Sequence, residues 1–409
     1  SSDLPAGAGL VVTAILPFVS LFQETFGLSG FATGSELISA AMQSAVPVIA
    51  SSSALIMAIG FLVNVVLARF TPLKYIFLTG HMMWISSVLV AYCFYSAGWS
   101  EPAIIAVGSI VQGALLTLLP AISQPIVRKV IGGNDFAIGH LTTLGTVPAA
   151  LIGQAVGDRS KSTEDMKLPK GLAFFKDTAV AISVVMLLFY LVIVLAAGPD
   201  KVGELSGGTN YILFGLLQAL GFAAGVLVLL QGIRMFLGEL VPAFKGISDR
   251  LVPNAIPALD VPAIFGFAPN ALMLGFITAT VGMLVAMFAS SLAFGVVPLV
   301  SIIGAFFTGG VAGIMGNATG GRRGAMVSGF AYGFILIFLS GLTYKVFDGF
   351  TAVGAEGVGH DCVDAMLTML AFMNPYVGLT VLIAAFAGMS VLEVRYQRRQ
   401  RAEATEPVA

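Results

Sequence analysis

The residues best suited to chemistry in this chain are two histidines and one carboxylate. Phe77–His81 reads FLTGH and Phe136–His140 reads FAIGH, the same F-x-x-G-H frame with its histidines 59 positions apart. A glycine before a histidine lets the backbone bend, so that amides and an imidazole can be aimed at one place. Two such breaks in separate parts of an apolar chain are how many transport proteins build a site at membrane depth. Asp260 lies in PNAIPALDVPAIFGFAPNA, among four prolines. Proline interrupts helices, which places this carboxylate at a broken element. A carboxylate accepts hydrogen bonds from two vicinal hydroxyls, as a sugar or polyol would offer. It is equally able to hold a proton or Na⁺, or to cap a helix.

Other polar stretches read more plainly. His360, Asp361 and Cys362 in GHDCVD are metal-ligand types, but a solvated loop is the expected reading and no metal site is expected. Gly309–Gly324 (GGVAGIMGNATGGRRG) lacks the spacing of a phosphate-binding loop and reads as a tight connection with Arg322 and Arg323. Gln231–Arg250 alternates in charge and reads as an amphipathic interfacial helix with a hinge at Pro242 and Gly246. No nucleophile and base are paired in the sequence, so no catalytic residue and no cofactor are expected.

The elements that hold these residues follow from composition. The 409 residues are 57% hydrophobic and 10% charged, and mean hydropathy is +0.97. A water-facing domain carries about 25% charged residues, so this chain must face lipid. A net charge of −1 offers nothing to nucleic acid. Cys93 and Cys362 are far apart and suggest no disulfide framework. A spanning helix needs about 20 apolar residues. Leu4–Gln23, Leu37–Ala68, Tyr75–Ser100, Pro102–Val127, Thr178–Pro199, Leu205–Ile233, Gly324–Tyr344 and Ala365–Leu392 each read as one span. Val261–Gly321 is long enough for two spans and a half-inserted hairpin, and Phe136–Gly157 reads as a re-entrant hairpin or broken helix. The expectation is an all-α polytopic membrane protein of about ten spans and two hairpins, forming a single transport unit over 1–409. Asp158–Asp177 is a hydrophilic loop. The arginines of VRYQRRQRAEATEPVA beyond the final span place the C-terminus in the cytoplasm. Ser1–Gly9 has no basic segment of a signal peptide, and a further segment is expected to precede it.

At these residues the chain resembles a known family, the EIIC membrane subunit of the ascorbate-type bacterial phosphotransferase system (the UlaA/SgaT family). The resemblance rests on LTGHMM (78–83), FAIGH (136–140), STEDMKLPKGLAFFKD (162–177), QGIRMF (231–236), AFKGISDRLVP (243–253) and ALDVPAIFGFAPNA (258–271). It runs over nearly the whole chain from about Gly7. It implies about eleven spans per protomer, a homodimer in the inner membrane, and a dimerising scaffold with a core that carries substrate by an elevator-like movement. It also implies separate cytoplasmic EIIA and EIIB subunits that phosphorylate the bound sugar, L-ascorbate or a related sugar or polyol. Family ligand contacts carry over to Thr79, Gly80, His81 and Asp260, with His140 as the second Gly-His and Ser35 as a hydroxyl contact. The pocket departs from the family at Ile85, where ascorbate-type members carry glutamine. It departs again at Leu141, Thr142 and Thr143, where they carry a run of glutamines. An amide donates and accepts, whereas Ile and Leu do neither, and each bond lost to a polar ligand group costs about 1–3 kcal/mol.

The expected function is therefore a permease that binds sugar around His81, His140 and Asp260 and exposes it to phospho-EIIB. The alternative is an H⁺- or Na⁺-coupled secondary transporter of the same fold, with Asp260 as the coupling carboxylate and no phosphotransferase partners.

Overall fold

Low charge and long apolar runs produce helices wherever the backbone has no water to bond with. The computed structural model describes residues 3–26, 46–166, 178–346 and 374–405. In chain order it contains α1 (Asp3–Phe26), α2 (Pro47–Phe70), β1 (Tyr75–Phe77), α3 (Gly80–Ser96), α4 (Glu101–Ile131), β2 (Ala137–Ile138) and α5 (Thr143–Val156). These are followed by α6 (Thr178–Ser206), α7 (Tyr211–Leu251), β3 (Ile256–Leu259), a 3₁₀ turn (Val261–Phe267), α8 (Pro269–Phe294), α9 (Ile302–Val346) and α10 (Pro375–Thr405). Seven of the described helices are long and apolar enough to cross a membrane, so the protein is an all-α polytopic membrane protein.

The apolar stretches at the two Gly-His breaks are not simple spans. Tyr75–Ser100 reads as one span, but it forms β1, a short turn and the 17-residue α3. Phe136–Gly157 forms β2 followed by the 14-residue α5. Hydropathy reports only that a segment is apolar, and two- to four-residue strands have too few positions for a period to emerge. At Pro242, where the sequence suggests a hinge, α7 keeps helical backbone. Gly309–Gly324 is helical in α9, apart from a break at Gly320 and Gly321, where Gly321 takes φ 61° and ψ −153°. The break is the expected tight connection: a Cβ on Gly316 would lie 2.5 Å from the Gly324 carbonyl oxygen, so the helical segments on either side fold back on each other. That break is filled by backbone, with Asp158 N–H donating to the Gly320 carbonyl (2.8 Å) and Arg322 N–H to the Lys161 carbonyl (2.8 Å).

The chain divides into two compact units. The first comprises Ser1–Thr33, Pro148–Leu240 and Val261–Lys345. In it α8 packs on the start of α9 at glycine-wide spacing. A Cβ on Gly275 would lie 2.7 Å from both the Gly309 carbonyl oxygen and Gly313 Cα. Phe222, Phe265 and Phe276 surround Phe306 edge to face, with ring centres 5.1, 5.7 and 5.6 Å from it. In lipid, close packing and small residues replace the hydrophobic effect as the force between helices.

The second unit comprises Gly34–Val147, Val241–Asp260 and Val346–Ala409. Its core is an apolar cluster that includes Tyr75, Phe77, Met82, Val88, Phe94, Leu116 and Ala258, drawn from α2, α3, α4 and the three strands. The strands form one parallel sheet in the order β1-β3-β2. Two of the three strands edge the sheet, and edge carbonyls and amides away from water must find partners. Asn64 on α2 closes one edge. It donates to the Tyr75 carbonyl (3.0 Å) and accepts from Phe77 N–H (3.0 Å). On the other edge Ser123 of α4 donates to the Ile138 carbonyl (3.3 Å) and Gln124 to the Phe136 carbonyl (3.1 Å).

Candidate functional site

The sheet register explains why three residues distant in sequence meet. Tyr75 pairs with Ile256, Phe77 with Ala258, and Ala137 again with Ala258. The ladder continues one bond past each strand, with Leu78 N–H donating to the Ala258 carbonyl (2.9 Å) and Gly139 N–H to the Leu259 carbonyl (2.8 Å). Because all three strands are parallel, their carboxyl ends open on one edge, which is where ligand sites form in parallel sheets. Asp260 follows β3, Thr79–Gly80–His81 follows β1, and Gly139–His140 follows β2.

Asp260 sits between the two imidazoles. Its Oδ2 lies 3.9 Å from His81 Nε2 and its Oδ1 lies 3.8 Å from His140 Nε2. The rings are 6.3 Å apart, centre to centre, at 69°. The side chains of His81 and Asp260 are 47% and 40% exposed, and that of His140 only 4%. His140 is thus the floor of the site, and His81 and Asp260 form its open side. Both gaps are longer than a hydrogen bond.

The glycines of the two F-x-x-G-H frames serve different ends. A Cβ on Gly139 would come within 2.9 Å of the Phe77 ring and 3.1 Å of Ala258 Cβ, so glycine is required for the strands to approach. Gly80 begins α3 and has open space where a Cβ would sit.

Thr142 fixes the state of His140. Its backbone N–H donates to His140 Nδ1 (3.2 Å), and its hydroxyl lies 2.8 Å from the same nitrogen. A backbone amide can only donate, so Nδ1 accepts and the ring proton sits on Nε2, facing Asp260. His81, His140 and Asp260 place one ligand atom each within 4.8 Å of one another, which is the donor set of many cation sites. The tautomer opposes that use. A metal-bound imidazole donates its second N–H outward, whereas here the second nitrogen is an acceptor.

The other expected contacts fall as follows. Thr79 is buried, and among the described residues its hydroxyl has no hydrogen-bond partner; the same is true of Thr143. Ile85 and Leu141 are buried at 1% and 2% in the apolar cluster. Ser35, His360, Asp361 and Cys362 lie outside the described residues.

Several supporting residues escape a reading of motifs. Asn64 also donates to Thr117 Oγ1 (2.8 Å). Gln112 of α4 donates to the Met83 carbonyl (3.0 Å) and to Ser86 (2.7 Å), which fixes the first turns of α3 behind His81. Below β1, Arg128 of α4 pairs with Glu393 of α10 (3.0 Å), donates to the Tyr75 hydroxyl (3.2 Å) and lies 3.7 Å from the centre of the Tyr396 ring. The signal available for Asn64 and Gln112 is a single amide within an apolar run, the polar group at membrane depth that marks function or support.

Known proteins share this sequence pattern. The family model EIIC-GAT, described as the PTS system sugar-specific permease component, matches residues 4–365. A curated protein of Mycoplasma pneumoniae named the ascorbate-specific PTS system EIIC component is 29% identical over 327 residues. That alignment covers 69% of this chain and 49% of the relative, so the chain spans about half the length of the curated relative it matches.

Proposed function

Because the chain belongs to the EIIC-GAT family of sugar-specific permease components of the phosphotransferase system, we propose that it binds a small sugar or polyol between Asp260 and the two histidines. It passes that sugar across a bacterial inner membrane to a cytoplasmic EIIB, which is itself charged by EIIA. L-ascorbate, which the Mycoplasma relative's name specifies, is the first ligand to consider.

The observation that carries this reading is the pair of gaps at Asp260, 3.9 Å to His81 and 3.8 Å to His140. A hydroxyl oxygen about 2.8 Å from each neighbour bridges either pair from the side. It accepts from an imidazole N–H and donates to the carboxylate. Two hydroxyls on adjacent carbons bridge both pairs at once, one on each carboxylate oxygen. The unmet hydroxyls of Thr79 and Thr143, two residues before His81 and three after His140, add capacity for further sugar oxygens. An unpaired buried hydroxyl costs about 1–3 kcal/mol, which a bound sugar relieves. Ser35, the Gly80 backbone and Thr142 complete the proposed contacts. Ile85 and Leu141, buried in the apolar cluster, offer no amide to an enediol lactone, which leaves a plain polyol as the second ligand to consider.

Phosphorylation then supplies direction. A sugar phosphate carries about −1.5 to −2 charges at neutral pH, and Asp260 repels it. The product leaves the site as a phosphate ester, and the phosphoryl group of EIIB is consumed. The unit that contains all three site residues is the body proposed to move, in a homodimer whose basic C-terminal helix faces the cytoplasm.

The test is phosphoryl transfer in inverted membrane vesicles supplied with phosphorylated EIIB. The reading predicts sugar-dependent loss of the EIIB phosphate and appearance of a sugar phosphate. Uptake that proceeds without EIIB and collapses with the ion gradient overturns it.

A further inference from the structure

The first unit carries a second polar feature, on a helix long and apolar enough to span a membrane. Leu227, Leu230, Gln231 and Arg234 lie on α7 at spacings of three, four and seven residues, so they share one helix face. With Gly266 and Pro269 they line a cavity of about 180 Å³. One end of that face is apolar and the other presents an amide and a guanidinium.

Arg234 falls within Tyr211–Glu239, a helical segment long and apolar enough to span a membrane, toward the end beyond its most apolar stretch. Its side chain is exposed, and among the described residues no carboxylate lies within ion-pair distance of it. A cation in such a segment requires an anionic partner or water, and this makes it a candidate for function. The start of α8 does not supply the positive charge of the cavity. The first-turn amides of Asn270 and Ala271 already donate to the Glu164 carboxylate (3.4 and 3.0 Å). Gly266 leaves open space where a side chain would intrude.

We propose that this cavity seats the phosphate of an anionic phospholipid, held by Arg234 and Gln231, with one acyl chain along Leu227 and Leu230. Guanidinium and amide donors match phosphate oxygens, and Arg is the side chain best shaped to do so in two bonds. The apolar half of the face distinguishes a lipid from a free anion, because inorganic phosphate has nothing to place against two leucines. The proposal is independent of the sugar site, which lies in the other unit.

The experiment is native mass spectrometry of protein purified in mild detergent and titrated with phosphatidylglycerol, with inorganic phosphate in a parallel arm. The wild type is expected to retain one more lipid than Arg234→Gln, whose affinity for that lipid falls about tenfold or more. Arg234→Lys keeps the charge but not the two-bond geometry and binds with an affinity between those of wild type and Arg234→Gln, which separates lost recognition from lost folding. Leu230→Trp, which fills the apolar half, also expels the lipid. Equal lipid retention by wild type and Arg234→Gln overturns the proposal. So does displacement of the lipid by inorganic phosphate, which assigns the site to a free anion.

Discussion

His140 and Asp260 are 120 positions apart in the chain, yet His140 Nε2 and Asp260 Oδ1 stand 3.8 Å apart. The sheet brings them together. β2 and β3 are parallel neighbours, and Gly139 N–H donates to the Leu259 carbonyl, so the residues that follow each strand emerge side by side. At a distance just beyond hydrogen-bonding range, one oxygen placed to the side can hydrogen-bond to both imidazole and carboxylate, and the functional account rests on that bridge.

The state of His140 is directly observable. Thr142 N–H donates to Nδ1, so the account predicts a protonated Nε2 and an unprotonated Nδ1 at neutral pH. Nitrogen-15 NMR of protein labelled only at histidine distinguishes the two, with His81→Gln and His140→Gln assigning the signals. A proton on Nδ1 of His140 contradicts both the donor role and the argument against a cation.

The two glycines of the repeated frame should respond differently. Gly139→Ala drives a methyl into the Phe77 ring and Ala258, an overpacking that costs about 1–3 kcal/mol and displaces His140. Gly80→Ala meets open space and is close to neutral. Thermal unfolding and sugar binding, measured on both variants, check the contrast.

Asn64 substitutes for a missing strand. Asn64→Leu leaves the Tyr75 carbonyl and Phe77 N–H without their partners, at about 1–3 kcal/mol for each. The melting temperature should fall, and sugar affinity with it, because β1 leads directly into Thr79 and His81. Unchanged binding in a folded Asn64→Leu protein separates the strand from the site.

The Arg128–Glu393 pair is nearly buried, at 10% and 11% side-chain exposure, and ties α10 to the base of β1. Breaking a buried pair from one side costs about 3–5 kcal/mol, whereas replacing both partners with apolar residues costs far less. Arg128→Met should therefore destabilise more than Arg128→Met combined with Glu393→Leu. Thermal unfolding of the two single variants and the double variant measures this coupling.

The three residues of the candidate site are legible in the sequence because polar groups in apolar runs are costly and therefore few. His81, His140 and Asp260 stood out for that reason. Their mutual geometry was not legible, because strands of two to four residues show no alternation and their hydropathy equals that of a helix. Tyr75–Ser100 looked like a span and proved to be a strand, a turn and a 17-residue helix. Gly80 and Gly139 looked equivalent, and only the neighbours of each reveal that space constrains one and not the other. Asn64 is an isolated amide in an apolar run, and its role depends on a sheet edge that no local pattern announces.

The most direct test of the account is equilibrium binding by purified protein in detergent, with L-ascorbate and a panel of neutral pentoses, hexoses and hexitols as probes. The account predicts a saturable ligand for the wild type. It predicts that Asp260→Asn weakens that ligand by about tenfold or more, since each hydrogen bond to a charged group contributes about 1.5–3 kcal/mol. His81→Ala and His140→Ala should weaken it as well. A sugar bound as tightly by Asp260→Asn and His81→Ala as by the wild type contradicts the site.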